Sequence, residues 1–258
     1  WLTYGETSQG LRMGVKDGSL GSADSPEYFM ETRHFEENKS YIPKANVDEN
    51  WLWKGLFVSS NPTYTHSFSL IAPASVPGVV RVSMLGYVSS YVNPDHHVKV
   101  YVNGIEIGEV FWDGLTWQML EVAIPSGVLH AGENTIAVTA FLQTGMSSDI
   151  VLLDWIELDY ASSFVAENNT LAFGYENPGA RKFSVDGFAS DQVLVYDVTD
   201  PSAVKRFIGA EVNATGLGFD VAFEDDITSI TNSFVQESSG YQQVQAIESD
   251  TPSNLQAV

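Results

Sequence analysis

His96-His97-Val98-Lys99-Val100-Tyr101-Val102-Asn103-Gly104-Ile105-Glu106-Ile107-Gly108-Glu109-Val110-Phe111-Trp112 is the stretch whose reading decides the fold. Val98, Val100 and Val102 alternate with His97, Lys99 and Tyr101, the period of a strand with one buried face. Asn103-Gly104 follows and tolerates the positive φ that both central positions of a type I′ turn require, so a two-residue hairpin is expected. The return strand starts at Ile105, across from Val102, with Ile107 across from Val100. Continued in that register, Glu109 would face the core opposite Val98. Gly108 therefore marks a bulge that brings Val110 inward instead. Such a hairpin belongs to an antiparallel β-sandwich, and it carries no catalytic motif.

Outward from this hairpin the chain repeats the same grammar: short alternating runs separated by Gly, Pro, Asn and Asp clusters. Strands are expected at Tyr28–Phe35, His66–Ile71, Val79–Tyr87, His97–Val102, Gly108–Trp112, Trp117–Ile124, Asn134–Phe141 and Val151–Tyr160. Eight strands divided by turns are what a jelly roll needs. The fold class is all-β: a jelly-roll β-sandwich over residues 1–162, including an N-terminal extension, then a smaller β domain over 163–247. Its strands are expected at Thr170–Gly174, Arg181–Phe188, Gln192–Val198, Leu217–Phe223 and Tyr241–Ile247. At this size the smaller domain is expected to lean on the first. Residues 248–258 read as a linker to a further domain.

Composition narrows the function classes. Twelve basic residues against 33 acidic ones give a formal charge of −21. That field repels phosphate backbones, so nucleic acid is a poor partner, and anionic membrane surfaces are disfavoured likewise. No apolar run approaches the roughly 18 residues of a membrane span. The chain opens at Trp1 without a basic, apolar leader. There is no cysteine, which excludes disulfides, thiolate metal sites and a cysteine nucleophile. Gly-x-Ser-x-Gly elbows and phosphate-binding glycine loops are likewise missing from the sequence.

Four groups of fragments, taken in order, carry a resemblance. They are Trp1-Leu2-Thr3-Tyr4-Gly5 with Gly10-Leu11-Arg12-Met13; His96–Gly104 with Trp112-Asp113-Gly114; Val185-Asp186-Gly187-Phe188 with Tyr196–Pro201; and Asp250–Leu255. Together they resemble the region that precedes the catalytic domain in gingipain-like cysteine peptidases of secreted bacterial proteins. The resemblance implies a non-catalytic accessory region, secreted or at the cell surface, whose partner is the peptidase domain downstream in the same polypeptide. The family's His–Cys pair belongs to that following domain, and no catalytic residue carries over to this chain. Leu129–Val138 and Leu153–Leu158 also resemble the galactose-binding-like jelly rolls of carbohydrate-binding modules. An inhibitory, chaperoning prodomain and an independent carbohydrate-binding module are the alternatives.

Candidate site residues follow from side-chain chemistry. Indole faces stack on sugar rings, which singles out Trp51 and Trp53, two apart on one strand, and Trp112 and Trp117, flanking a loop at the sandwich rim. The competing reading places them, and Trp155, in the core. No cofactor is required, but carbohydrate-binding jelly rolls often hold a structural calcium between an early strand and the last one. That resemblance points to Glu31, Glu36 (or Glu37) and Asp154, since calcium takes hard oxygen ligands. His96 and His97 are adjacent on a strand, point to opposite faces and cannot easily share an ion. Glu224-Asp225-Asp226 reads as a solvated turn.

Overall fold

A computed structural model describes residues 13–43 and 50–241. The first fragment group of the resemblance, apart from Met13, the fourth group, the strand expected at Tyr241–Ile247 (beyond Tyr241 itself) and the 248–258 linker lie outside the described residues. β1 (Gly14–Asp17) opens the described chain. A first unit follows: β2 (Phe29–Glu36), β3 (Ser40–Tyr41), β4 (Trp51–Leu52), β5 (Lys54–Phe57), β6 (Thr63–Leu70), β7 (Gly78–Gly86), β8 (His96–Val102), β9 (Ile105–Trp112), β10 (Trp117–Ile124), β11 (Gly132–Ala140) and β12 (Ile150–Ser162). The second unit holds β13 (Thr170–Tyr175), β14 (Gly179–Phe188), β15 (Val193–Asp197), β16 (Lys205–Ile208), β17 (Glu211–Ala214), β18 (Phe219–Ile227) and β19 (Thr231–Glu237). Among the described residues no helix is long and apolar enough to cross a membrane.

The first unit is a jelly roll. One sheet runs β10-β7-β12-β2, with β5 continuing the β2 edge of β12; the other runs β6-β11-β8-β9. First and last sandwich strands are thus neighbours, as two Greek keys require. Val80, Val82 and Met84 of β7 face Val98, Val100 and Val102 of β8 across a core that Ile136, Val138, Val151, Leu153, Ile156 and Leu158 complete.

The deciding hairpin forms as a type I′ turn, with φ of 50° at Asn103 and 78° at Gly104. Val102 pairs with Ile105 and Val98 with Val110, as the sequence demands. The bulge sits one residue earlier than expected: Ile107 is the extra residue and Val100 pairs with Gly108. Gly108 serves close approach, because a Cβ there would lie 2.5 Å from Val122 Cγ1. A second bulge, at Asp154 on β12, breaks the alternation between Leu153 and Trp155. It corrects the core placement of Trp155: that indole is turned outward and packs on the His34 ring at 5.6 Å.

The second unit packs the sheet β1-β16-β15-β19-β13 against β14-β18-β17. Its core is rich in phenylalanine: Phe164, Phe173, Phe183, Phe188, Phe207 and Phe223. Phe29, on β2 of the jelly roll, enters this core 5.2 Å from Phe164. β1, read from the sequence with the jelly roll, instead pairs parallel with β16 as an edge of the second unit. Lys16 on β1 reaches Asp197 and Asp225 at 2.8 Å each. Asp225 is therefore no solvated turn residue: it lies on β18, 5% exposed, inward-facing and neutralised by Lys16.

Candidate functional site

At one end of the jelly roll three loops, residues 87–95, 113–116 and 141–149, meet over a buried charge cluster. Strand alternation sends His96 inward and His97 outward, where His97 stacks on Phe111 at 4.0 Å. Asp95 accepts backbone hydrogen bonds from Ser90 and Gly114, both 2.9 Å, and so ties two of the loops together. The His96 ring donates from Nε2 to the Gly114 carbonyl at 3.1 Å and stacks on Trp112 at 4.8 Å. Its Nδ1 lies 2.8 Å from Asp149 Oδ1. All three side chains are sealed from solvent. Gly86 makes room, since a Cβ there would sit 2.4 Å from His96 Nε2. Burial pulls the His96 pKa down, but Asp149 and then Asp95 override it, leaving the imidazole above its ordinary value. A general base must reach the proton that it takes; His96 has no solvent face and serves the loops instead.

The backbone that carries this cluster also walls a cleft. Ile150 follows Asp149 and accepts a hydrogen bond from Tyr87 N at 3.0 Å, while Val58 N donates to the Asp149 carbonyl at 3.1 Å. On the outer face of the sheet, Ile42, Leu52, Phe57, Tyr87, Ile150 and Leu152 enclose about 420 Å³. Leu52, Leu85 and Leu152 form a small separate core beneath it. The Phe57 ring lies across Gly55, where a Cβ would come within 2.7 Å of it. The volume and apolar walls match small-ligand sites, which span about 300–1,000 Å³.

The four candidate tryptophans separate. Trp53 is 2% exposed in the main core, edge-on to Tyr64 at 4.9 Å, and Trp112 lies against His96. A bend at Trp53, between β4 and β5, breaks the alternation that would have put Trp51 and Trp53 on one face. Trp51 is 44% exposed and packs edge-on to Tyr41, while Trp117 lies half-buried against the small outer core under the cleft.

The candidate calcium ligands are likewise dispersed. Glu31 accepts from Tyr160 at 2.6 Å and Arg33 at 2.8 Å. Glu36, five residues on and so on the other face of β2, contacts His34 at 3.1 Å. Glu37 pairs with Lys39 at 2.6 Å, and buried Asp154 accepts from Ser83 at 3.1 Å. Among the described residues no three His, Asp or Glu side chains are grouped to hold a metal ion. The sequence reading missed both the Asp95–His96–Asp149 cluster and the cleft. Asp95 beside an inward-facing His96 was a visible signal, but Asp149 lies too far along the chain to be linked to them. The hairpin of β3 and β4 that walls the cleft has strands too short to show a period.

No family model and no curated protein matches this chain. Among solved structures it is similar to dimeric latent PorU from Porphyromonas gingivalis, with a TM-score of 0.69 at 15% identity. The alignment covers 89% of this chain and 22% of that one, so the chain spans about a fifth of the PorU length. A CBM36-1 domain of a multidomain xylanase from the hindgut metagenome of Trinervitermes trinervoides aligns over 50% of this chain and 96% of its own. Its 13% identity and TM-score of 0.33 are too low to bear on fold or ligand. What the chain shares with PorU is the fold, across both β units in succession.

Proposed function

We propose that this chain is a non-catalytic accessory region of a secreted gingipain-like peptidase, placed ahead of the catalytic domain and positioning it. The supporting observation is that a jelly roll and a second, phenylalanine-cored β unit align together with a segment of a much longer chain, PorU. Two chemical facts agree with it. The chain has no thiol to act as the family's nucleophile, and its buried His–Asp cluster is closed to any substrate. Work of this kind needs rigid faces and loops, which buried ion pairs and packed sheets supply.

The test compares a natural polypeptide bearing the peptidase domain with the same polypeptide lacking residues 1–258, and then adds the 258-residue chain in trans. Loss of yield, stability or substrate range on deletion, with no inhibition in trans at micromolar concentration, is the expected result. Inhibition in trans would replace the accessory role with that of an inhibitory prodomain.

A further inference from the structure

The second unit has one polar outer face and one on which apolar side chains outnumber charged ones. On its three-stranded sheet, alternation turns Lys182, Ser184, Glu224 and Asp226 outward. On its five-stranded sheet the alternation that buries Val193, Val195 and Val235 turns Leu194, Tyr196 and Phe234 outward beside the uncharged Thr170, Asn232 and Gln236, and none of the three apolar residues belongs to either core. Val15 and Ile208, 62% and 44% exposed, carry the apolar surface on across β1 and β16. Antiparallel sheets ordinarily solvate their outer face with polar residues. The jelly roll obeys that rule, with Arg81, Glu121, Glu157 and Asp159 on its outer sheet. Among the described strand residues of the five-stranded sheet, Asp17 is the one carboxylate that alternation turns outward. Arg206, beside Val15 and Tyr196 on this face, makes no ion pair among the described residues.

The chain leaves the described structure on the same face. After the 3-10 turn Ser238–Gly240, the Tyr241 hydroxyl lies 2.8 Å from that of Tyr196. Seventeen residues, 242–258, lie beyond it, and they can span at most about 60 Å. Five strands at about 4.8 Å spacing make a face of roughly 400 Å², in scale with one side of an inter-domain interface of about 600–1,500 Å².

We infer that this face, Leu194, Tyr196, Phe234, Val15 and Ile208 around Arg206, is the seat of the peptidase domain itself. The inference rests on the accessory reading and names the surface by which that role is performed. The partner must present an apolar patch with a carboxylate opposite Arg206.

Hydroxyl-radical footprinting of the 258-residue chain, beside a natural polypeptide that continues into the peptidase domain, tests it. Labelling of Tyr196, Phe234 and Ile208 falls at least about threefold in the longer protein, while Tyr91 and Leu217, 90% and 104% exposed elsewhere, label equally in both. The double variant Val15→Lys/Ile208→Lys, on exposed positions that spare the core, restores the labelling of Tyr196 and Phe234. Equal labelling of the face in both proteins overturns the inference and leaves the accessory role standing. Protection in the short chain that grows with its own concentration overturns it in favour of self-association. If no peptidase domain follows Val258 in the natural polypeptide, the accessory reading falls first.

Discussion

Burial lowers the His96 pKa, but two carboxylates, Asp149 brought by folding and Asp95 adjacent in sequence, leave it above its ordinary value. Removing the ring takes the one basic partner from two buried carboxyl groups, a defect that typically costs about 3–5 kcal/mol. His96→Gln is expected to lower stability on that scale, read by denaturant unfolding, and to loosen the loop end that walls the cleft. Because the folded pKa lies above the ordinary 6.5, this contribution is complete below 6.5 and fades as pH rises through the higher folded value. Trp112, stacked on His96, reports the step: its fluorescence should titrate above 6.5 in the native protein and lose that titration in His96→Gln. A transition at or below 6.5 would contradict the ion cluster. Gly108 gives a second residue-scale test. Gly108→Ala should cost about 1–3 kcal/mol through the clash with Val122, and Val122→Ala in the same chain should recover part of it. In sequence Gly108 could be read only as a bulge marker, because the contact that forbids a side chain there comes from another strand.

Elements were legible where apolar residues alternated over a long, uninterrupted run. The eight expected jelly-roll strands all form, with ends displaced by a few residues, because Val, Ile and aromatic positions at period two leave little choice of buried face. Sequence failed where the period breaks or the element is short. The Asp154 bulge turned Trp155 outward, the Trp53 bend parted two tryptophans, β1, β16 and β17, four residues each, carry too little pattern to be seen, and β19 was missed because its buried positions alternate as Thr231, Ser233, Val235 and Glu237, mostly polar. β1 is the instructive case, since its attachment depends on one lysine meeting two aspartates about 200 residues away. Lys16→Met is expected to destabilise by about 2 kcal/mol, less than a fully buried pair because Lys16 is part-exposed. It should also raise proteolytic cleavage between residues 13 and 24. Burial raises the Asp197 pKa but its bonds to Lys16 and Thr199 win, so the folded value lies below the ordinary 3.8. The contribution of Asp197 is therefore present above 3.8 and lost as pH falls through the folded value. Unchanged cleavage in Lys16→Met would mean that strand pairing alone holds β1.

In the whole molecule the two units communicate through Phe29. The five described tryptophans, Trp51, Trp53, Trp112, Trp117 and Trp155, all lie in the jelly roll, so indole fluorescence follows that unit while circular dichroism follows both. Phe29→Ala should cost the second unit about 3–5 kcal/mol and split one unfolding transition into two, with the dichroism change preceding the fluorescence change. Coincident transitions would show that the units are joined more widely than through this ring. The exchange of Phe29 and β1 between the units was not legible in the sequence, since neither breaks the local pattern of its own strand. In the proposed accessory role these side chains pack sheets, hold loops and present faces without breaking bonds. Its most direct test is to incubate the purified 258-residue chain with panels of peptides and polysaccharides and to follow products by mass spectrometry. The account predicts no product above the buffer control at any pH between about 5 and 9, and product formation abolished by a single side-chain substitution would contradict it.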